Sequence, residues 1–560
     1  MTTISYADAP PAPVAARRRA IDTGLGLAVA VALVVNLIGL SWGLPLRTTR
    51  GWELDGIRPV EPLVVAKRLL IDRPWNPGFY RKYPLGHYFV LLAATAPYVG
   101  YVWLTGGLEQ PSEAYPFGLR DPETVLNVLM LIERSMSVLM GTGIVLLLYL
   151  TARRLTGRRA ALCSALAIAC SPAFIYYAHT TNVDTPSLFW CALGLFAFGR
   201  LVQGSTATRD HVLLGAAVGM AAATKEQTVG LFLLVPLSIA TLHAQRAPAG
   251  QRGRLLRILT TPAILYGLLA AVATFVVATH LVFNWEGNLQ RFRWRLLGIH
   301  PKWGADAPYG EPEVTGVLDA LAQAGRHTLE VMNPALFVAG VVGFAVLVWS
   351  RRWARHFAVP LVSYLAFAVA LFPFYRARFV MQLALVLAVF AGPMVAAVWR
   401  RARRAPWAMA AVLGLSLYTF AYGFETNLMM MRDTRYAAEA WLARLAPGTT
   451  VETYGHLTYL PHLPAHVRGW ASEFLATDLA TLGQRAPEYV VLSGRYHDVT
   501  PGSEVESLVR RLLAGDMGYA IVERFVATPR LGPRLIAGLS PEIVVLARTA
   551  ALVPGAGASP

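Results

Sequence analysis

The sequence predicts a mainly α-helical, polytopic membrane protein of about eleven transmembrane helices, with re-entrant or surface helices in the first outer loop and a small C-terminal α/β domain. Three observations lead there. Hydrophobic residues make up 55% of the 560 and charged residues only 15%, against about 25% charged in soluble domains. Apolar runs recur from Ile21 to residue 424, many of them about 20 residues long, as a hydrocarbon core of about 30 Å requires. Beyond Glu425 the pattern changes to short β-rich runs alternating with amphipathic helical ones. The net charge of +17 would suggest nucleic acid in a soluble protein. Here the arginines sit mainly in short loops between apolar runs, so membrane topology accounts for them and no nucleic-acid partner is implied.

Residues 1–20 are Pro/Ala-rich and read as a disordered cytoplasmic N-terminus ending in Arg17, Arg18 and Arg19. The long apolar run that follows has no A-x-A-like site after it and reads as an uncleaved first helix. Basic clusters at Arg153/Arg154/Arg158/Arg159, Arg200/Arg209, Arg246/Arg252/Arg254/Arg257, Arg351/Arg352/Arg355 and Arg400/Arg401/Arg403/Arg404 fall on the cytoplasmic side by the positive-inside rule. The helices between them are expected at 126–150, 160–178, 185–203, 211–223, 228–243, 258–283, 331–350, 357–374, 379–399 and 406–424. An odd number of crossings places Asp55, Asp184, the loop 284–330, Arg376, Arg378 and the C-terminal domain outside, on the face of a bacterial plasma membrane away from the cytoplasm. Segment 84–105 breaks the parity, because a single crossing there would put Arg153–Arg159 outside. With Pro97 and Gly100 interrupting it, it is expected as a re-entrant or surface-lying hairpin, tolerable where protein covers it or a cavity adjoins it. The expected domains are thus 1–20, a transmembrane domain 21–424 and an extracytoplasmic α/β domain 425–560.

The loop 51–88 mixes carboxylates, cations and aromatics more densely than any other between the helices. Asp55, just past a helix end, is its leading candidate for chemistry, against the plainer role of a loop Asp bonding its own backbone; Glu53 and Glu61 are the substitutes. Asp184 stands before Thr185-Pro186, where it serves as a helix cap, a site residue or both. Lys225 and Glu226 interrupt an apolar stretch, a costly placement that implies either function or a Lys–Glu pair closing a helical hairpin. His87 and His179 are secondary candidates on the outer side. The run 284–303 reads as an amphipathic helix in the headgroup layer or as a rim for a lipid or sugar. Cys163, Cys170 and Cys191 lie in apolar runs and read as buried small residues. No metal-ligand spacing is present. The cofactor is left unknown, with a divalent cation possible but not indicated.

An ordered set of motifs resembles the GT-C superfamily of polytopic glycosyltransferases, in particular the protein O-mannosyltransferase and lipid A aminoarabinose transferase branch. The motifs are Leu54-Asp55-Gly56, Lys82-Tyr83-Pro84-Leu85-Gly86-His87-Tyr88, the Arg-rich turn Ala152 to Arg159, Ser171-Pro172 through Tyr176-Tyr177 to Asn182-Val183-Asp184, then Ala223-Thr224-Lys225-Glu226 and Arg378-Phe379. The resemblance spans residues 20–420. It implies a polyprenyl-phosphate sugar donor, transfer with inversion, and a cell-envelope glycan, lipid or protein as acceptor. It also implies a base that takes the acceptor proton, for which Asp55 is the candidate, and Asp184 corresponds to the family's second acidic residue. Lys225, Arg378, Arg376 and Lys82 would then face the donor phosphate. Gly56 stands where the family often has Glu, so a second adjacent carboxylate is missing. A transporter and a catalytically degenerate membrane scaffold are the alternative readings.

Overall fold

The computed structural model describes residues 22–46, 51–72, 83–246, 261–297, 315–370, 376–472, 476–493, 502–532, 536 and 538–549. In chain order its helices begin with α1 Thr23–Leu37, α2 Glu61–Lys67, α3 Gly86–Leu104, α4 Pro122–Thr156, α5 Arg158–Ala169, α6 Pro172–Ala178, α7 Asp184–Val202, α8 Thr208–Thr224 and α9 Val235–Arg246. There follow α10 Pro262–Ala278, α11 Trp285–Leu297, α12 Val317–Met332, α13 Pro334–Ser350, α14 Arg352–Tyr364, α15 Met381–Ala402, α16 Pro406–Met431 and α17 Thr434–Leu442. Among the described residues, 5 helices are long and apolar enough to cross a membrane, or up to 7 if each bent pair is one span.

One expected helix is divided, and the bounds of others are set at identifiable residues. The run 160–178 becomes α5 and α6, bent by 64°, with Pro172 opening the second piece, where its missing N–H costs nothing. The run 331–350 is really α13 alone. Asn333, at φ +65°, turns the chain by 118° from α12 and caps α13 through its side chain. The expected pair 211–223 and 228–243 is α8 and α9, separated by a 3₁₀ turn Glu226–Leu231 that Lys225 precedes in extended φ/ψ. Segment 84–105 is corrected outright: it is one helix, α3, with Pro97 inside it, and not a hairpin. Its interior proline leaves the Ala93 carbonyl without the usual helical donor but does not end the helix. Of the cysteines, Cys170 and Cys191 are buried as expected, whereas Cys163 is only partly covered.

The helical core is built from tightly approached faces. α8 and α10 cross through small residues: a Cβ added at Gly215 would lie 1.8 Å from the Gly267 carbonyl oxygen, and one at Gly219 would lie 2.5 Å from that of Ala271. Such small-residue contacts substitute for hydrophobic driving force where the solvent is lipid. Tyr149, Phe198, Phe357, Leu385 and Phe390 fill the space among α4, α7, α14 and α15.

The last long helix, α16, passes the composition change at Glu425 and ends at Met431. Beyond it lies a five-stranded sheet of β1 Thr450–Tyr454, β2 Arg468–Ser472, β3 Tyr489–Ser493, β4 Tyr519–Phe525 and β5 Ile543–Arg548 in the order β2-β1-β3-β5-β4. Strands β2, β1 and β3 are parallel, while β5 is antiparallel to both β3 and β4. The period-2 alternation sorts side chains to two faces. Val490, Leu492, Val544 and Leu546 meet Leu508 and Leu512 of α18 Glu504–Ala514. Val451, Val491, Ile543 and Val545 meet Ala438 and Leu442 of α17. β2, at the edge, is the strand that alternation did not reveal.

Candidate active site

The loop carrying Asp55 is built against the turn carrying Asp184. The Thr181 backbone N–H donates to Glu53 Oε1 at 3.0 Å, and its hydroxyl lies 2.6 Å from both Glu53 Oε1 and the Ile57 carbonyl oxygen. The Asn182 amide donates to the Leu54 carbonyl at 3.2 Å. Glu53 is held from its other side by Arg134 of α4, whose Nε donates to Glu53 Oε2 at 3.0 Å and whose Nη2 also pairs with it. The same guanidinium donates from Nη1 to the carbonyls of Leu40 and Trp42 at 2.9 and 2.5 Å. Arg134 and Glu53 are both buried. Glu53 is thereby committed to holding the loop rather than presented to a substrate.

Pinned in this way, Asp55 adopts φ +58°, a left-handed conformation that Asp tolerates better than most residues. Arg378 donates from Nη1 to Asp55 Oδ2 at 2.6 Å. Its guanidinium lies over the Phe379 ring, 5.0 Å from the centroid, and the Lys225 ammonium lies over the same ring at 4.7 Å. Lys225 in turn donates to Asp184 Oδ1 as a buried ion pair. Asp184 Oδ2 and Arg378 Nε are buried and make no hydrogen bond among the described residues. Burial works against the Arg378 cation, but Tyr83, Asp55, Asp184 and Tyr177 outweigh it and hold its pKa well above the ordinary arginine value. It stays charged at any working pH.

Residues 55, 184, 225 and 378 therefore meet around Phe379, arriving from a loop, the start of α7, the break after α8 and the short turn before α15. Lys225 and Glu226 divide rather than pair with one another. Lys225 reaches Asp184, and Glu226 pairs with the buried Arg291 of α11. The amphipathic run 284–303 is helical over Trp285–Leu297, with Trp285 and Phe292 exposed, and residues 298–303 lie outside the described residues.

Glu61 and His179 are engaged by other partners. Glu61 accepts from Arg58 at 2.8 Å and from the Tyr88 hydroxyl at 3.1 Å. His179 sits between the carbonyls of Ile175 and Ile38, at 2.7 and 2.8 Å. His87 is wholly buried, and burial pushes its pKa down to about 3, so it stays neutral. Arg376 is exposed, and Lys82 lies outside the described residues. No group of three or more His, Cys, Asp or Glu suited to a metal ion occurs among the described residues. Arg134, Thr181 and Arg291 were not singled out from the sequence. The only signal for Arg134 was a charge inside the apolar run of α4.

Gly56 has a geometric explanation. A Cβ there would lie 2.7 Å from Glu53 Cγ and 2.8 Å from both Glu53 Oε1 and Thr181 Oγ1. The place where a second carboxylate would begin is filled by the Glu53–Thr181 clasp. Gly56→Ala is expected to lower the melting temperature in detergent by the equivalent of about 1–3 kcal/mol, the usual cost of overpacking. Gly414→Ala, where an added Cβ meets nothing within 4 Å, is the matched control and should not destabilise. Equal melting temperatures for the two variants would contradict the clasp.

A sequence profile of the dolichyl-phosphate-mannose-protein mannosyltransferase family matches residues 125–285. No curated protein matches the chain. Among solved structures, ArnT from Cupriavidus metallidurans bound to undecaprenyl phosphate is 16% identical at a TM-score of 0.47, over 96% of this chain and 100% of that one. AglB from Archaeoglobus fulgidus, an oligosaccharyltransferase in complex with an inhibitory peptide and a dolichol-phosphate, is 13% identical at 0.45, over 90% and 74%. The S. cerevisiae Pmt1-Pmt2 protein O-mannosyltransferase complex is 17% identical at 0.32, over 46% and 34%. The segment from α4 to the start of α11 thus carries the sequence pattern of the dolichyl-phosphate-mannose-protein mannosyltransferases.

Proposed function

We propose that this chain is a membrane glycosyltransferase that moves a sugar from a polyprenyl-phosphate donor to an acceptor hydroxyl, with inversion, and that Asp55 is the general base. The observation that carries the reading is the meeting of two carboxylates and two cations around Phe379. In the reaction the acceptor oxygen bonds to the anomeric carbon as the bond from that carbon to the phosphate oxygen breaks. The acceptor proton passes to Asp55, and the polyprenyl phosphate departs with the electron pair. A carboxylate beside a guanidinium is held in its proton-accepting form. The leaving phosphate gains charge, and Arg378 and Lys225 are fixed cations in a water-poor place where such charge is most strongly stabilised. Arg378 Nε is a buried donor suited to a phosphate oxygen. Asp184 orients Lys225.

In this reading the chain crosses a bacterial plasma membrane about eleven times. The N-terminus is cytoplasmic, and the site and residues 425–560 are extracytoplasmic. The acceptor is a cell-envelope glycan, lipid or protein.

The test is transfer from a panel of radiolabelled polyprenyl-phosphate sugars in membranes holding wild-type protein or Arg378→Gln. One donor should label a new product, and Arg378→Gln should lower kcat by about 10²-fold, the usual loss of one preorganised donor. Absence of product from every donor would sink the enzyme reading. Label crossing sealed vesicles unchanged would establish a transporter instead.

A further inference from the structure

We propose that the C-terminal α/β unit sets the position of the catalytic loop by gripping Trp52, which makes Trp52 and Arg435 positioning residues for Asp55. The inference rests on the base role of Asp55 proposed above. Trp52 precedes Asp55 by three residues and is 1% exposed. Gly43 lies against the ring and Trp42 meets it edge-on at 6.3 Å from the N-terminal side, and three further groups around it come from beyond α16. The Arg435 guanidinium lies 4.3 Å from its centroid, the Tyr436 ring 4.7 Å, and the His462 ring is stacked on it at 5.2 Å with 17° between planes.

These gripping groups are themselves fixed. Arg435 is fully buried and donates to Asp433 Oδ1 from Nε at 2.8 Å and to Asp433 Oδ2 from Nη2 at 2.7 Å. It also donates to the carbonyls of Gly538, at 2.9 Å, and Thr458. Asp433 further accepts from Trp42 Nε1 and the Ser540 N–H, each at 3.0 Å. Glu439 Oε1 lies 2.6 Å from His462 Nδ1 and accepts the His462 backbone N–H at 2.9 Å.

The arrangement is costly for a contact that only packs two units together. A wholly desolvated guanidinium needs its hydrogen bonds and its ion partner to be complete, and an apolar side chain would cover Trp52 without that demand. A guanidinium locked by a carboxylate and two carbonyls has one orientation, and so does the ring it faces. The next residues are held too. Leu54 lies where a Cβ on Gly538 would fall, 2.8 Å from its Cδ1, and Glu53 is held by Arg134. Each of the three residues before Asp55 is thus gripped, Trp52 and Leu54 by the C-terminal unit. A non-glycine residue at φ +58° keeps that conformation only where its surroundings over-determine it.

Trp52→Leu in the full-length protein tests this, with two readouts. Amide deuterium exchange of the peptide covering residues 51–57 should rise at least tenfold. The kcat for transfer should fall by about 10- to 100-fold, as for a small misplacement of a reacting group, with donor KM within about threefold. Trp52→Phe, which keeps an aromatic ring between Arg435 and His462, should restore most of both. Unchanged exchange would overturn the grip whatever the activity. Raised exchange with unchanged kcat would overturn the positioning role. Should Trp52→Leu give no folded protein, His462→Ala unstacks the ring from one side, leaves the Asp433–Arg435 pair intact and answers to the same two readouts. The exchange measurement does not depend on transfer. If Asp55→Asn proved fully active, the base reading would fail while the grip on the loop stood or fell by exchange alone.

Discussion

Asp55→Asn is expected to lower sugar transfer by about 10²- to 10⁴-fold, the range that a positioned general base contributes, while leaving expression and melting temperature near wild type. Asparagine suits this test for two physical reasons. It tolerates the left-handed backbone that Asp55 occupies at φ +58°, whereas alanine would be strained there. Its side-chain oxygen can still accept the Nη1 hydrogen bond that Arg378 gives to Asp55 Oδ2. What it loses is the capacity to hold a proton. Transfer by Asp55→Asn at the wild-type rate would remove Asp55 as the base and turn attention to Asp184, whose Oδ2 is buried without a hydrogen bond among the described residues. Glu53 is a poorer successor because Arg134 and Thr181 already engage both of its oxygens.

Arg134→Met should be the most damaging substitution for stability, costing about 3–5 kcal/mol, as breaking a buried ion pair from one side does. The guanidinium removed is wholly inaccessible to solvent, and Glu53 is left with a side chain only 3% exposed. The carbonyls of Leu40 and Trp42 lose their donor in the same step. Monodisperse yield and melting temperature in detergent are the measurements. The double variant Glu53→Leu, Arg134→Met should regain a substantial part of the loss, since it leaves neither member of the pair as a buried charge without its partner. A single variant as stable as wild type would show that the Glu53–Arg134 pair does not hold the first loop.

Several corrections trace to interactions that sequence spacing does not register. Proline in an apolar run can break a helix, as at Pro172, or sit inside one, as at Pro97. The difference is set by what surrounds the chain and not by the residue itself. The Gly56 departure read as a missing carboxylate. In the structure it is the space that Glu53 and Thr181 need, a fact about residues 128 apart in the chain.

By itself the sequence determined what depends on local composition and period. The helical character follows from apolar runs long enough for a bilayer, and four of the five strands follow from short β-rich runs. Lys225 stood out because an ionised group in an apolar stretch is costly enough to need a reason, Asp55 by its place in the charge-dense loop 51–88, and Asp184 and Arg378 through motifs that resemble a known family. Only the tertiary structure decided the pairings: Lys225 with Asp184 and not with Glu226, Arg378 with Asp55, Glu53 with Arg134, and Trp52 with Arg435 and His462. The physical reason is that a charge or a ring in the sequence announces only a need for a partner. Which partner meets that need is settled by the packing of helices and loops far apart in the chain, through contacts that fall off within a few ångströms.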